Sequence, residues 1–274
     1  MKQINSKNHC QTIRELIVKT ACESGESVHL GGSLSMVEIM HVLFNGFLNH
    51  RPHEPEWSER DYFILSKGHC VLGYLATLCL AGYFTQEKLA TFQQNGSDFI
   101  AHPVKKPSLG IESSNGSLGQ GLGYGIGLAI ADQRQSIKRR VVVLLGDGEC
   151  NEGAIWEGAT LAAEQGLGQL TVIVDVNKLR NDGPNQAYQL GQLAKIWSAF
   201  GWHVADIDGH DCQALASALK EAEGVISQPS VIIANTVKGK GVSFMEHNND
   251  WHHNRITPKI YDAILAEFMG AANV

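Results

Sequence analysis

Five consecutive apolar residues, Val141-Val142-Val143-Leu144-Leu145, run straight into Gly146-Asp147-Gly148. This junction constrains the fold more than any other stretch. An unbroken Val/Leu run suits a strand buried on both faces, and such strands belong to parallel sheets. The two glycines behind it allow a sharp exit into a helix. About 28 residues after Gly148, a second apolar run at 170–174 ends close to Asn177. In an open α/β sheet, ligands bind outside the carboxyl ends of the strands. A carboxylate and an amide oxygen at that edge can hold Mg²⁺ against a diphosphate. Mg²⁺ takes about six oxygen ligands in near-octahedral geometry.

The surrounding pattern supports such a sheet. Ile13, Leu16, Ile17 and Ala21 recur at helical spacing and predict a helix over 8–23. A second helix is expected over 36–47, with Ser33 or Ser35 as its cap. Residues 61–65 read as a short buried strand, and Ser66-Lys67-Gly68-His69 turns into a helix ending near residue 80. A long Gly, Pro, Asn and Ser-rich loop covers 93–116. A glycine-studded helix over 118–130 follows. Each interior glycine there costs about 1 kcal/mol of helix propensity relative to Ala, so close packing or ligand approach must explain them.

Past the 141–145 strand, helices are expected over 152–165, 189–199, 211–226 and 258–269. They alternate with strands over 170–175, 203–207 and 230–236. The expected fold is therefore α/β: a doubly wound parallel sheet flanked by helices, with an N-terminal helical extension. No internal repeat, low-complexity tract or strong linker divides residues 1–274, which read as one domain.

Composition removes several functional classes. Net charge is −6, without the basic footprint of a nucleic-acid binder. No apolar run approaches the ~20 residues of a membrane span. The polar segment 1–7 has no signal-peptide core behind it. A cytoplasmic protein is expected. The six cysteines lie far apart in sequence with no Cys-x-x-Cys, which argues for buried, inert thiols over a zinc knuckle or a disulfide framework.

Taken alone, Gly146-Asp147-Gly148 reads equally well as an ordinary strand-to-helix turn. Asn177 at its own strand end, followed by Asp182-Gly183, tips the reading toward a metal–diphosphate site. A dinucleotide site of Gly-x-Gly-x-x-Gly type competes. Its third glycine would have to be Gly153, which comes late, and Asp147 would repel a bare pyrophosphate unless a cation intervened.

Gly-Asp-Gly with a later Asn at this spacing resembles the thiamine diphosphate motif. Four segments narrow the resemblance to transketolases: Leu65-Ser66-Lys67-Gly68-His69, Ala101-His102-Pro103, Gly116-Ser117-Leu118-Gly119-Gln120-Gly121 and Thr236-Val237-Lys238-Gly239-Lys240-Gly241. The resemblance runs from about residue 8 to 255. It implies a thiamine-diphosphate-binding fold of the diphosphate-domain type. It also implies a metal (Mg²⁺, or another divalent cation such as Ca²⁺ or Mn²⁺) held by Asp147, Asn177 and the carbonyl of Leu179. Gly148 would offer its N–H to the diphosphate, His69 would contact it, and Gly116 and Leu118 would touch the aminopyrimidine.

Glu152 is expected among the cofactor-linked residues, as the glutamate that joins paired active sites through a carboxylate network. Glu157 belongs either to that network or to a solvated helix face. His29, His102 and His252 resemble the catalytic histidines of the substrate channel. Two departures stand out. His253 follows His252 where the family has glycine, so either histidine can be the functional one. Asn181 also stands where transketolases place an apolar side chain.

In the family, the glutamate that activates the cofactor lies in a pyrimidine-binding domain, which has no counterpart in these 274 residues. The resemblance therefore implies the N-terminal subunit of a split transketolase. Its partner would be a separate C-terminal subunit in an α₂β₂ assembly, moving a two-carbon ketol unit between sugar phosphates of pentose phosphate metabolism. Two other readings remain: the α subunit of a 2-oxo-acid dehydrogenase, and a non-catalytic cofactor-binding assembly subunit.

Overall fold

A computed structural model describes residues 6–185 and 192–271. The chain opens with α1 (Ser6–Ser24), the two-residue strand β1 (Ser27–Val28), α2 (Gly31–Ser35) and α3 (Val37–Val42), which runs on as a π turn over Leu43–Phe47. Then come β2 (Tyr62–Leu65), α4 (Val71–Ala81), a short α5 (Gln86–Leu89), α6 (Gln120–Arg134), β3 (Val141–Gly146), α7 (Gly153–Glu164) and β4 (Leu170–Val176). A small hairpin of β5 (Leu179–Arg180) and β6 (Gly183–Pro184) precedes α8 (Leu193–Ala199), β7 (His203–Asp208) and α9 (Cys212–Gly224). The chain continues through β8 (Ser230–Asn235) and β9 (Asn254–Arg255) to α10 (Pro258–Ala271).

Five of these strands form one sheet in the order β2-β3-β4-β8-β7, with every neighbouring pair parallel. Side chains alternate across it, as the two-residue period of a strand requires. Val142, Leu144, Ile173, Ile232 and Ala234 point into a core shared with α1, α3, α4 and α9. Val141, Val143, Leu145, Val172, Val174, Val231 and Ile233 point into a second core under α6, α7 and α8. Both faces are covered, so the sheet is doubly wound. The N-terminal helices do not stand apart: Ile13, Ile17, Ile39 and Leu43 belong to the first core.

The register places the functional edge. Leu145 pairs with Val174 and Gly146 with Asp175, so the exits of β3 and β4 lie side by side. A one-residue slip would carry every strand side chain from one core to the other. Two helix glycines have the packing role expected of them. A Cβ on Gly121 would sit 2.4 Å from Ser66 Oγ, and one on Gly125 would sit 2.5 Å from Val143 Cγ2. Helix α6 therefore approaches β2 and β3 at backbone distance.

Local expectations failed in three places. The helix expected over 36–47 starts at Gly31 and breaks at Met36. Neither Ser33 nor Ser35 caps it. Ser33 Oγ donates to the His29 carbonyl, and Ser35 Oγ donates to Asp175 Oδ2 at 2.6 Å. The antiparallel pairs β1–β9 and β5–β6 have no counterpart among the expected strands, because two residues carry no periodic signal. Positions 189–191 of the expected helix over 189–199 lie outside the described residues.

Candidate active site

The site sits where β3 and β4 end. After Gly146 the chain turns through Asp147 into a 3-10 turn over Gly148–Asn151. Asp147 is 2% exposed. Its Oδ1 accepts from the Gly148 N–H and its Oδ2 from the Lys178 N–H, each at 2.9 Å. Thirty residues on, Asn177 is also buried. Its Oδ1 accepts from the Leu179 N–H at 3.2 Å, and its Nδ2 donates to Asp175 Oδ2 at 3.1 Å. Lys178 between them has a positive φ of 69°. This left-handed kink turns the chain so that Leu179 lines the same cleft.

That cleft, of about 350 Å³, brings together Asp147, Asn177 and Leu179 with His29, His69, His102, His252, Gly116, Leu118 and Gly148. Its volume lies within the ~300–1,000 Å³ usual for small-molecule sites. The donor set is a carboxylate, an amide oxygen and a backbone carbonyl. These are the hard oxygen ligands a divalent cation such as Mg²⁺ prefers. Burial, then the charge of Asp175, pushes the Asp147 carboxyl up to about 6. Among the described residues its carboxylate is in no salt bridge, although Lys67 and Lys238 feel its charge; a bound cation would add a direct partner. The residues present fit a metal–diphosphate group.

The histidines form one cluster. The His29 ring lies 5.1 Å from His69, 5.3 Å from His252 and 6.1 Å from His102, centroid to centroid. Burial, reinforced by the neighbouring rings, holds His29 down at about 3. Burial and Lys238 hold His252 at about 3, while burial and Lys67 hold His69 at about 4. Burial also lowers His102. All four rings are neutral near pH 7. His252 Nδ1 lies 2.6 Å from Lys238 Nζ, an ammonium that only donates, so Nδ1 accepts and the ring proton sits on Nε2. His253 is exposed and packs on His29 at 4.4 Å from outside. Of the two adjacent histidines, His252 lines the cleft.

Two expected residues sit differently. Glu152 lies outside the cleft, exposed at the N-terminus of α7, as does Glu157 on that helix. The Gly148 N–H, expected to face a diphosphate, here donates to Asp147 Oδ1.

Sequence reasoning also missed the charged groups beneath the site. Lys67 and Asp175 form a fully buried pair at 2.5 Å, with side chains 1% and 0% exposed. Burial opposes charge on both, yet each holds the other ionised: Lys67 is raised and Asp175 lowered. Glu149 is buried and accepts from Ser66 Oγ and from the Gly119 and Gly146 N–H groups. It thereby anchors the start of α6 to the metal turn. Lys238 Nζ donates to the carbonyls of Leu179 and Arg180, at 3.1 and 3.2 Å. The available signals were Lys67 behind a buried strand and Asp175 two places before Asn177.

Residues 5–259 match the family model described as "Transketolase, thiamine diphosphate binding domain". The chain belongs to the transketolase family. It is 38% identical over 267 residues to the 6-deoxy-6-sulfo-D-fructose transketolase subunit of a Clostridium species, covering 97% of each chain. An apulose-4-phosphate transketolase subunit from Actinobacillus succinogenes is 40% identical over 244 residues, covering 89% of this chain and 88% of that one. Transketolase from Leishmania mexicana superposes with a TM-score of 0.90 at 30% identity. There the match covers 96% of this chain and only 41% of the other. The chain thus matches transketolase subunits along nearly their whole length and spans about two fifths of a single-chain transketolase. Among the described residues, no helix is long and apolar enough to cross a membrane.

Proposed function

We propose that this chain is the diphosphate-binding subunit of a split transketolase. A second polypeptide would carry the pyrimidine-binding and C-terminal domains, in a cytoplasmic α₂β₂ assembly. The observation that carries this reading is the convergence of Asp147, Asn177 and Leu179 with four histidines in one cleft. The names of the relatives that match this chain along their own length support a two-polypeptide enzyme. The family match weighs against the 2-oxo-acid dehydrogenase alternative.

In this reading Asp147, Asn177 and Leu179 hold the divalent cation that neutralises the cofactor's diphosphate. Gly116 and Leu118 border its aminopyrimidine. Thiamine diphosphate, when bound, supplies a nucleophilic carbon that no side chain provides. The chain's own groups position and move protons around it. His252 presents Nε2–H as a donor toward a substrate oxygen, its tautomer set by Lys238. His29 and His102 are neutral, so each can accept a proton from a hydroxyl and return it. The substrates are a ketose phosphate donor and an aldose phosphate acceptor. The two subunit relatives are named for different sugars.

The test is ketol transfer measured with the chain alone and with its co-expressed partner. Activity is expected only in the pair, and Asp147→Ala in the pair should abolish it. Robust transfer by the chain alone would remove the split-enzyme reading. Normal activity of the Asp147→Ala pair would favour a non-catalytic assembly role. Turnover of pyruvate or branched 2-oxo acids with an artificial acceptor would restore the dehydrogenase alternative.

A further inference from the structure

On the face of the molecule formed by α1, α3 and α9, three potential metal ligands meet that the active site does not use. They are Cys10 on α1, His41 on α3 and Cys212 at the first turn of α9. One ligand atom from each, the two Sγ atoms and an imidazole nitrogen, lies within 4.8 Å of the others. Cys10 is 3% exposed and His41 6%. Cys212 is half-buried and, with Cys10, borders an open cleft. A fourth group stands behind them: His9 Nδ1 is 3.0 Å from His41 Nδ1. The buried charges nearest the three ligands are paired with one another. Arg14 pairs with Glu38 at 2.7 Å, and Glu38 also receives His210 Nδ1 at 2.8 Å.

We propose that Cys10, His41 and Cys212 form a zinc site, with His9 or water as the fourth ligand. Two sulfurs and an imidazole are the N/S donor set of tetrahedral zinc, and they are poor ligands for the hard cation of the active site. Zn–S and Zn–N bonds of about 2.3 and 2.1 Å place ligand atoms roughly 3.5–3.8 Å apart. The three groups therefore need to close by only about 1 Å. The cleft provides entry for the ion. Each thiol feels the other: the proximity lets Cys212 lose its proton more readily while Cys10 holds its own more tightly. Zinc binding displaces both protons and leaves a site of no net charge. Packing alone explains a single buried thiol, but it does not bring two thiols and an imidazole from three helices to one point.

The site would join the chain's first helix to α9. Its neighbour His210 accepts from the Val237 N–H, next to Lys238 of the active site. Zinc should therefore act as a staple, and its loss should loosen the molecule without removing an oxygen ligand of the cofactor's metal.

The experiment uses the full chain, purified reduced, stripped with chelator and titrated with Co²⁺. The wild type should show a thiolate-to-cobalt charge-transfer band and the intense visible bands of tetrahedral cobalt. Both should saturate at one ion per chain and be bleached by Zn²⁺. One equivalent of Zn²⁺ should raise Tm by on the order of 3–6 °C. Cys212→Ser and Cys10→Ser should each remove the charge-transfer band, with folding checked by circular dichroism. Cys22→Ser should keep it. Asp147→Ala should also keep it, because the oxygen site yields no thiolate band. Absence of the band in the wild type would overturn the proposal, as would its survival in the double Cys10→Ser/Cys212→Ser variant. A chain whose intact mass shows a Cys10–Cys212 disulfide that persists after mild reduction would likewise overturn it.

Discussion

The two faces of the central sheet and its carboxyl edge are built from the same strands, yet they obey opposite rules. On the faces, β3 and β4 bury Val142, Leu144, Val172 and Ile173 at 0% exposure against apolar helices. Within four residues of the ends of those runs the buried side chains become charged: Asp147, Glu149 and Asp175, with Lys67 and Lys238 among them. Burial of apolar area stabilises the fold, whereas burial of charge opposes it unless each group is paired. Lys67 and Asp175 are paired, and Glu149 accepts three hydrogen bonds. Asp147 receives two backbone N–H groups and, among the described residues, is in no salt bridge, and burial pushes its carboxyl up to about 6. The faces hold the structure together. The edge gives up part of that stability to keep one carboxylate buried outside any ion pair among the described residues.

The sharpest way to break this contrast is to unpair the edge. Lys67→Met leaves Asp175 charged and fully buried. Removing one partner of such a pair costs about 3–5 kcal/mol, so a chemical-denaturation midpoint should fall steeply. If Lys67→Met unfolds like the wild type, the pair is not what holds this edge. Asp147→Ala should do the reverse. It removes a carboxylate that burial disfavours, so the chain without cofactor should keep or slightly gain stability. Activity of the assembled enzyme should nevertheless fall by about 10²–10³ or more, the scale seen when one group that stabilises charge at an active site is deleted. On the face, Ile173→Val should cost about 1 kcal/mol and leave activity alone. A large activity loss from that change would mean the faces and the edge are not separable.

The faces were legible in the sequence and the edge only in part, for a physical reason. Apolar strands announce themselves through composition over five or six residues, so 141–145, 170–175, 203–207 and 230–236 were placed within a residue or two. Asp147, Asn177 and the loop histidines could be singled out because motif spacing survives in linear order, and they line one cleft. Lys67–Asp175, Ser66–Glu149 and Lys238–His252 were not found, because each joins residues distant in the chain or hidden inside a motif read for other residues. Cys10 and Cys212 show this most clearly. Their separation in sequence argued for inert thiols, yet they meet at His41. Glu152, expected in a network that joins paired active sites, is exposed and lines no part of this chain's cleft.

The histidine cluster makes the edge sensitive to acid. His29, His69 and His252 have folded pKa values of about 3, 4 and 3, below the 6.5 of an unfolded chain. From about pH 6.5 down to 4 the unfolded chain binds protons that the folded chain excludes. Their contribution is therefore fully present above pH 6.5 and is lost as pH falls through that window. Asp147, raised to about 6, acts with the opposite sign between pH 4 and 6 and blunts the slope. Tm should still decline from pH 6.5 to 4.5. A His29→Asn/His252→Asn variant should show a shallower decline, and an unchanged slope in that variant would sink the assignment.

The smallest effect separates two glutamates three residues apart. Glu149 is buried, and both of its oxygens are already committed as acceptors to Ser66, Gly119 and Gly146. A glutamine there must turn an NH₂ toward one of those donors. Leaving a buried donor unpaired costs about 1–3 kcal/mol, so Glu149→Gln should lower Tm and disturb the junction between α6 and the metal turn. Glu152 is exposed and lines no part of the cleft. In the isolated chain Glu152→Gln should change stability by no more than about 0.5 kcal/mol, as exposed substitutions do. Cofactor retention there should be unchanged. Its effect should emerge only in the assembled enzyme, as altered coupling between the two active sites. A cofactor-binding defect in the isolated Glu152→Gln chain would show that the edge reaches further along α7 than its buried charges do.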